Sequence, residues 1–201
     1  FMTNTAENNK RIAKNTLLLY VRMLFTLLVS LYTSRVVLNT LGIEDYGIYN
    51  VVGGIITIFS FLNGSMSTAT QRYLTYEIGT GNQDRLKKIF STCITIHGLI
   101  AFFIVLLSET IGLWFLLTQM NIPTERMEAA MWVYQLSILS CVVLMMSVPY
   151  NAAIIAYEKM GAFAYISIFE VSAKLLIVYL LLFLKYDKLI IYAILMFIIQ
   201  L

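Results

Sequence analysis

The chain has 201 residues, of which 60% are hydrophobic and only 12% charged, about half the charged fraction of an ordinary soluble domain. A water-soluble globule of this size cannot hide that much apolar surface, which excludes soluble enzymes, nucleic-acid binders and disulfide-rich secreted domains. The net charge of +3 is too small for a polyanion-binding surface.

Apolar residues arrive in runs of about 20, the length that crosses a hydrocarbon layer of about 30 Å. An all-α integral membrane protein is expected. The polar start, with Lys10, Arg11 and Lys14, resembles a signal-peptide n-region, but a long apolar stretch follows without a small-residue cleavage site. Residues 1–15 therefore read as a cytoplasmic lead-in to a retained helix. A six-helix transmembrane bundle is expected over 16–201, with helices at about 16–38, 49–78, 88–117, 128–156, 162–184 and 189–201. These runs are far longer than strands of about 10 residues and do not alternate, which argues against an outer-membrane barrel. The last run is too short to span a bilayer, and Phe1 precedes Met2. The expectation is a fragment interrupted in its sixth helix.

Orientation follows from the basic residues. With the N-terminus cytoplasmic, the inner segments carry Lys10, Arg11, Lys14, Arg72, Arg85, Lys87, Lys88 and Lys159, and the outer ones only Arg35, Arg126, Lys185 and Lys188. Gly79 and Gly81 stop the second helix, and Asp84 stands near the start of the third.

Few residues are suited to catalysis. No Gly-rich phosphate loop with its lysine is present, Cys93 and Cys141 read as inert buried thiols, and the lone His97 reads as an imidazole bonded to a neighbouring helix. No catalytic residue, metal or cofactor is expected. More informative are polar groups inside apolar helices. Glu170 and Lys174 lie mid-helix at i,i+4 and can pair, and each alone costs roughly 2.5 to 3.5 kcal/mol at the bilayer centre. Two readings stand, a neutralising pair that packs the bundle or a charged face on an aqueous cavity, with Glu170 as an ion-coupling site in the second. Arg22, six residues into helix one, either snorkels to the inner surface or lines a cavity. In helix two, Ser65, Thr68, Arg72 and Thr75 share one face, next to Asn63; that face either lines water or lies on the cytoplasmic side. Pro149 in helix four suggests a kink.

Three segments carry a family resemblance: RIAKNTLLLY before helix one, SRVVLNTLGIEDYGIYNVVGG after it, and QRYLTYEIGTGNQDRLKKIFSTC leading into helix three. They resemble bacterial polysaccharide biosynthesis transporters, the oligosaccharide-lipid flippases of the MATE-like transporter superfamily. The most specific part is LGIEDYGIYN. The resemblance implies the N-terminal lobe of a V-shaped, two-lobed carrier in the bacterial inner membrane. Such carriers move a polyprenyl-diphosphate-linked oligosaccharide outward by alternating access for surface polysaccharide synthesis, beside other glycan-assembly membrane proteins. It further implies a cationic cavity, for which Arg22, Arg72 and Lys174 are the candidates, with Asn63, Ser65, Thr68 and Glu170 completing a polar lining. The alternatives are a multidrug or organic-cation antiporter of the same superfamily, a membrane enzyme of glycan assembly, and a packing unit without a transport role.

Overall fold

A computed structural model describes residues 2–183 and 187–201. Within them every regular element is a helix, with no strand. Leu184, Lys185 and Tyr186 are not described, so the end expected for the fifth helix and the outer charge at Lys185 fall outside the described residues.

Helix α1 covers Met2–Thr57 with one non-helical residue, Gly42, at φ 85° and ψ 169°. Its first arm, 2–41, is about 60 Å long at 1.5 Å per residue, twice the hydrocarbon thickness, so the polar lead-in is a helical extension of the first apolar run. The loop expected between 38 and 49 is absent. Glycine alone takes the required turn, and the polar residues after it, Glu44 and Asp45, stand in the first turn of the second arm, 43–57, where a helix N-terminus favours negative charge. The chain turns again at Ile58–Phe59, and α2 (Ser60–Thr80) follows. The helix expected over 49–78 is thus divided between the second arm of α1 and α2.

Gly81 ends α2 in the left-handed conformation at φ 72°. Asn82 caps α3 (Gln83–Leu107), its side chain accepting from the Arg85 N–H at 3.1 Å. A π-helical turn, Ser108–Gly112, links α3 to α4 (Leu113–Thr118). After Pro123 and a 3₁₀ turn come α5 (Met127–Ala156), α6 (Met160–Phe183) and α7 (Lys188–Gln200). Helix α5 runs unbroken through Pro149, which is buried. Four stretches, Ile12–Gly54, Gln83–Thr118, Thr124–Ala156 and Met160–Phe183, are long and apolar enough to cross a membrane, with Lys188–Gln200 a shorter apolar helix.

Helix α5 is the centre of the bundle. The main core joins it to the second arm of α1, to α3 and to α7 through Val52, Ile104, Tyr134, Met145 and Leu189. A second cluster, Val37, Val178, Leu181 and Tyr192, fastens α1 to α6 and α7, and a third, Leu74, Leu86 and Ala152, fastens α2 to α3 and α5. The first arm of α1 stands at the edge, packed chiefly on α6, with Leu17, Leu24, Leu28 and Leu31 between 62 and 65% exposed. Hydrocarbon accepts such a face and water does not.

Candidate substrate-contact site

Helices α1 and α6 run parallel. Arg22 meets Ser167, 145 residues later, and Tyr32 meets Tyr179, 147 residues later, with the two tyrosine hydroxyls 2.7 Å apart. This register brings Arg22 to the face of α6 that carries Phe163, Ser167, Glu170 and Lys174, at offsets 0, 4, 7 and 11. The guanidinium carbon lies 4.5 Å from the centroid of the Phe163 ring. Arg22 Nη1 donates to Ser167 Oγ at 3.1 Å, and Nε is buried without a partner.

One turn further along α6, Lys174 Nζ donates to Glu170 Oε1 at 2.5 Å. The pair neutralises itself, so Arg22 is left as the net charge of this face. An aromatic face attracts a cation by about 2 kcal/mol when water is excluded, but it leaves the remaining N–H donors of the guanidinium free for an anion. Arg22 is held by side chains of a neighbouring helix, a support that the sequence alone does not reveal.

Helix α2 belongs to the other side of the bundle. Its inward face, with Thr70, Leu74 and Glu77 buried, packs on α5 and α3. Ser65, Thr68 and Arg72 point outward and are exposed; the Thr68 hydroxyl donates to its own helix at the Gly64 carbonyl, 3.0 Å away. Arg72 therefore sits on a different pair of helices from Arg22 and Lys174, and within this chain the three cations do not form one cluster. Asn63 lines a cavity of about 360 Å³ shared by the second arm of α1, α2, α5 and α7. Among the described residues no three His, Cys, Asp or Glu side chains gather at a metal-sized site. His97 is buried, and its Nδ1–H donates to the Cys93 carbonyl of its own helix at 2.7 Å rather than to a neighbouring helix.

Two features escaped the sequence reading. Arg126, just before α5, donates from Nη2 to Asp45 Oδ2 and from Nη1 to Asp187 Oδ2, both at 2.8 Å. Asp187 also caps α7, accepting from the Leu189 and Ile190 N–H groups at 3.0 and 3.4 Å. One guanidinium thus joins the starts of three helices. The only sequence signal was that Asp45 falls in the most specific segment, LGIEDYGIYN. The second feature lies in the π turn, where the Tyr134 hydroxyl donates to the Ser108 carbonyl at 2.6 Å. A π turn frees a carbonyl from the regular i→i−4 ladder, and a buried acceptor needs a donor.

No curated protein and no solved structure matches the chain. The family model MatE, however, matches residues 19–180, a stretch that holds Arg22, the break at Gly42, the Arg126–Asp45 link and the Glu170–Lys174 pair, and the chain accordingly belongs to the MatE family of membrane transporters.

Proposed function

We propose that the chain forms one lobe of an alternating-access carrier that moves a polyprenyl-diphosphate-linked oligosaccharide across the bacterial cytoplasmic membrane. The observation that supports this most directly is Arg22. It is a cation set at the depth of an apolar helix, braced by Phe163 and Ser167, while the nearby carboxylate of Glu170 is already matched by Lys174. A net positive site suits a diphosphate, which cannot cross hydrocarbon unaided. An organic-cation antiporter needs the opposite balance, a free carboxylate or an open aromatic cage. The exposed Ser65, Thr68 and Arg72 of α2 add hydroxyls and a second cation on a face that lipid would serve poorly.

The test is to express the full-length protein in strains lacking a lipid-linked glycan flippase. Restored surface glycan in at least one strain, lost on Arg22→Ala and kept in part on Arg22→Lys, is the expected result. Correct insertion with no restoration across several glycan types overturns the reading. Export of organic cations in its place supports the antiporter.

A further inference from the structure

We infer that the cavity between the second arm of α1, α2, α5 and α7 receives an uncharged, hydroxyl-bearing ring of the transported molecule, that is, a sugar of the lipid-linked glycan. The inference rests on the flippase reading and gives it a second contact, separate from Arg22.

Size and chemistry both point this way. At about 360 Å³ the cavity falls in the range of roughly 300 to 1,000 Å³ typical of small-molecule sites. Its polar lining comes from Tyr49, Asn50, Thr57, Asn63, Ser137, Ser140 and Gln200, and among the described residues no Asp, Glu, Lys or Arg lines it. An ammonium ion would find no carboxylate here, and a phosphate no cation.

The available groups are uncharged and include both acceptors and donors. Ser137 spends its proton on the Val133 carbonyl at 2.7 Å, and Thr57, also in the wall, spends its own on the Gly54 carbonyl at 2.8 Å. Each keeps lone pairs for a ligand. Asn50 Nδ2 donates one N–H to the Tyr46 carbonyl at 2.7 Å, which leaves Oδ1 and the second N–H. Asn63 Oδ1 is buried with no donor among the described residues, an unfavourable state unless something supplies a hydrogen bond. A neutral wall of hydroxyls and amides is matched by a neutral ligand whose groups both donate and accept, and sugar hydroxyls fit that description.

The backbone supports the same reading. The chain leaves its helix at Ile58–Phe59, between Thr57 and Asn63 of the cavity wall. That break lies 16 residues after Gly42, about 24 Å along the axis of the second arm. Irregular backbone at membrane depth is tolerated where it is enclosed by protein or lines a polar cavity, and transporters place substrate sites at such broken helices. Gly54 contributes open room, since a Cβ built there meets nothing within 4 Å.

The full-length protein in lipid nanodiscs provides the test. It is titrated with a bare polyprenyl diphosphate and with the same lipid carrying one hexose, one N-acetylhexosamine or one deoxyhexose. At least one glycosylated lipid is expected to bind about tenfold more tightly than the bare lipid. Asn63→Leu and Gly54→Leu are expected to reduce that preference to below about twofold while leaving affinity for the bare lipid unchanged, which also reports an intact fold. Ser140→Val gives the same reading without altering a glycine or an amide. Equal binding of every lipid by the parent protein, or an undiminished preference in all three variants, overturns the cavity assignment and leaves the flippase reading standing on the diphosphate. Binding to none of the lipids overturns both.

Discussion

Arg126 and Asp45 meet through a 2.8 Å ion pair in which the carboxylate is buried, with a side chain 7% exposed, while the guanidinium keeps 35% of its surface. The buried partner depends on the exposed one. Asp45 Oδ1 has no hydrogen bond, so Arg126, on Oδ2, supplies most of the compensation for burying this carboxylate. Removing a partner from a buried pair costs about 3 to 5 kcal/mol, and the exposure of Arg126 reduces that figure. Arg126→Ala should therefore destabilise the full-length protein by about 2 to 3 kcal/mol. Thermal melting in detergent measures it. Asp45→Asn in the same background should recover part of the loss, because the stranded charge is gone, and a double variant less stable than Arg126→Ala would contradict this account.

Gly42 provides a backbone prediction. Its φ of 85° with ψ near 169° falls where only glycine rests without strain, and other residues there cost of order 1 to 3 kcal/mol. Gly42→Ala should lower stability by about that amount. Gly47→Ala, at a helical position where an added Cβ meets nothing within 4 Å, is the control and should be neutral or slightly stabilising. Comparable melting temperatures for the two variants would remove Gly42 as the cause of the turn.

The π turn makes opposite predictions for two neighbours. Tyr134→Phe removes the donor to the Ser108 carbonyl and leaves a buried acceptor, at a cost of about 1 to 3 kcal/mol. Ser108→Ala removes a buried hydroxyl that itself lacks a partner and should be close to neutral. Chemical or thermal unfolding of the two variants side by side decides the matter.

Glu170 tests ion coupling. With Lys174 as its partner, the carboxylate is committed to a salt bridge, and Glu170→Gln should leave Lys174 as an additional free cation on the α6 face. Transport that persists with its dependence on the ion gradient removes Glu170 as a coupling site. Loss of gradient dependence with binding retained would establish it. Tighter binding of polyprenyl diphosphate is expected in either case, by about threefold to tenfold, and is read by titration in nanodiscs.

What the sequence revealed was local. Hydropathy located the apolar runs because their length is set by the bilayer, and the i,i+4 spacing of Glu170 and Lys174 revealed their pairing because a helix makes such neighbours adjacent. The turn at Gly42 looks like a loop in the sequence, since Glu44, Asp45 and Tyr46 have the character of surface residues, and only the fold shows Asp45 buried and paired with Arg126. Arg22 was recognised as costly, but its supports Phe163 and Ser167 lie more than 140 residues away, and no local pattern links them. The π turn was invisible for another reason. It changes hydrogen bonding within a continuous helix and leaves the apolar pattern through Leu106, Leu107 and Ile111 intact.

The Arg126 junction also sets an order of events during synthesis. Asp45 is made 81 residues before Arg126, and Arg126 61 residues before Asp187. At about 5 to 20 residues per second, Asp45 waits roughly 4 to 16 seconds for its counter-charge. The third helix arrives last and brings its own cap. The junction is thus completed by a residue that becomes available only when the final described helix begins to emerge.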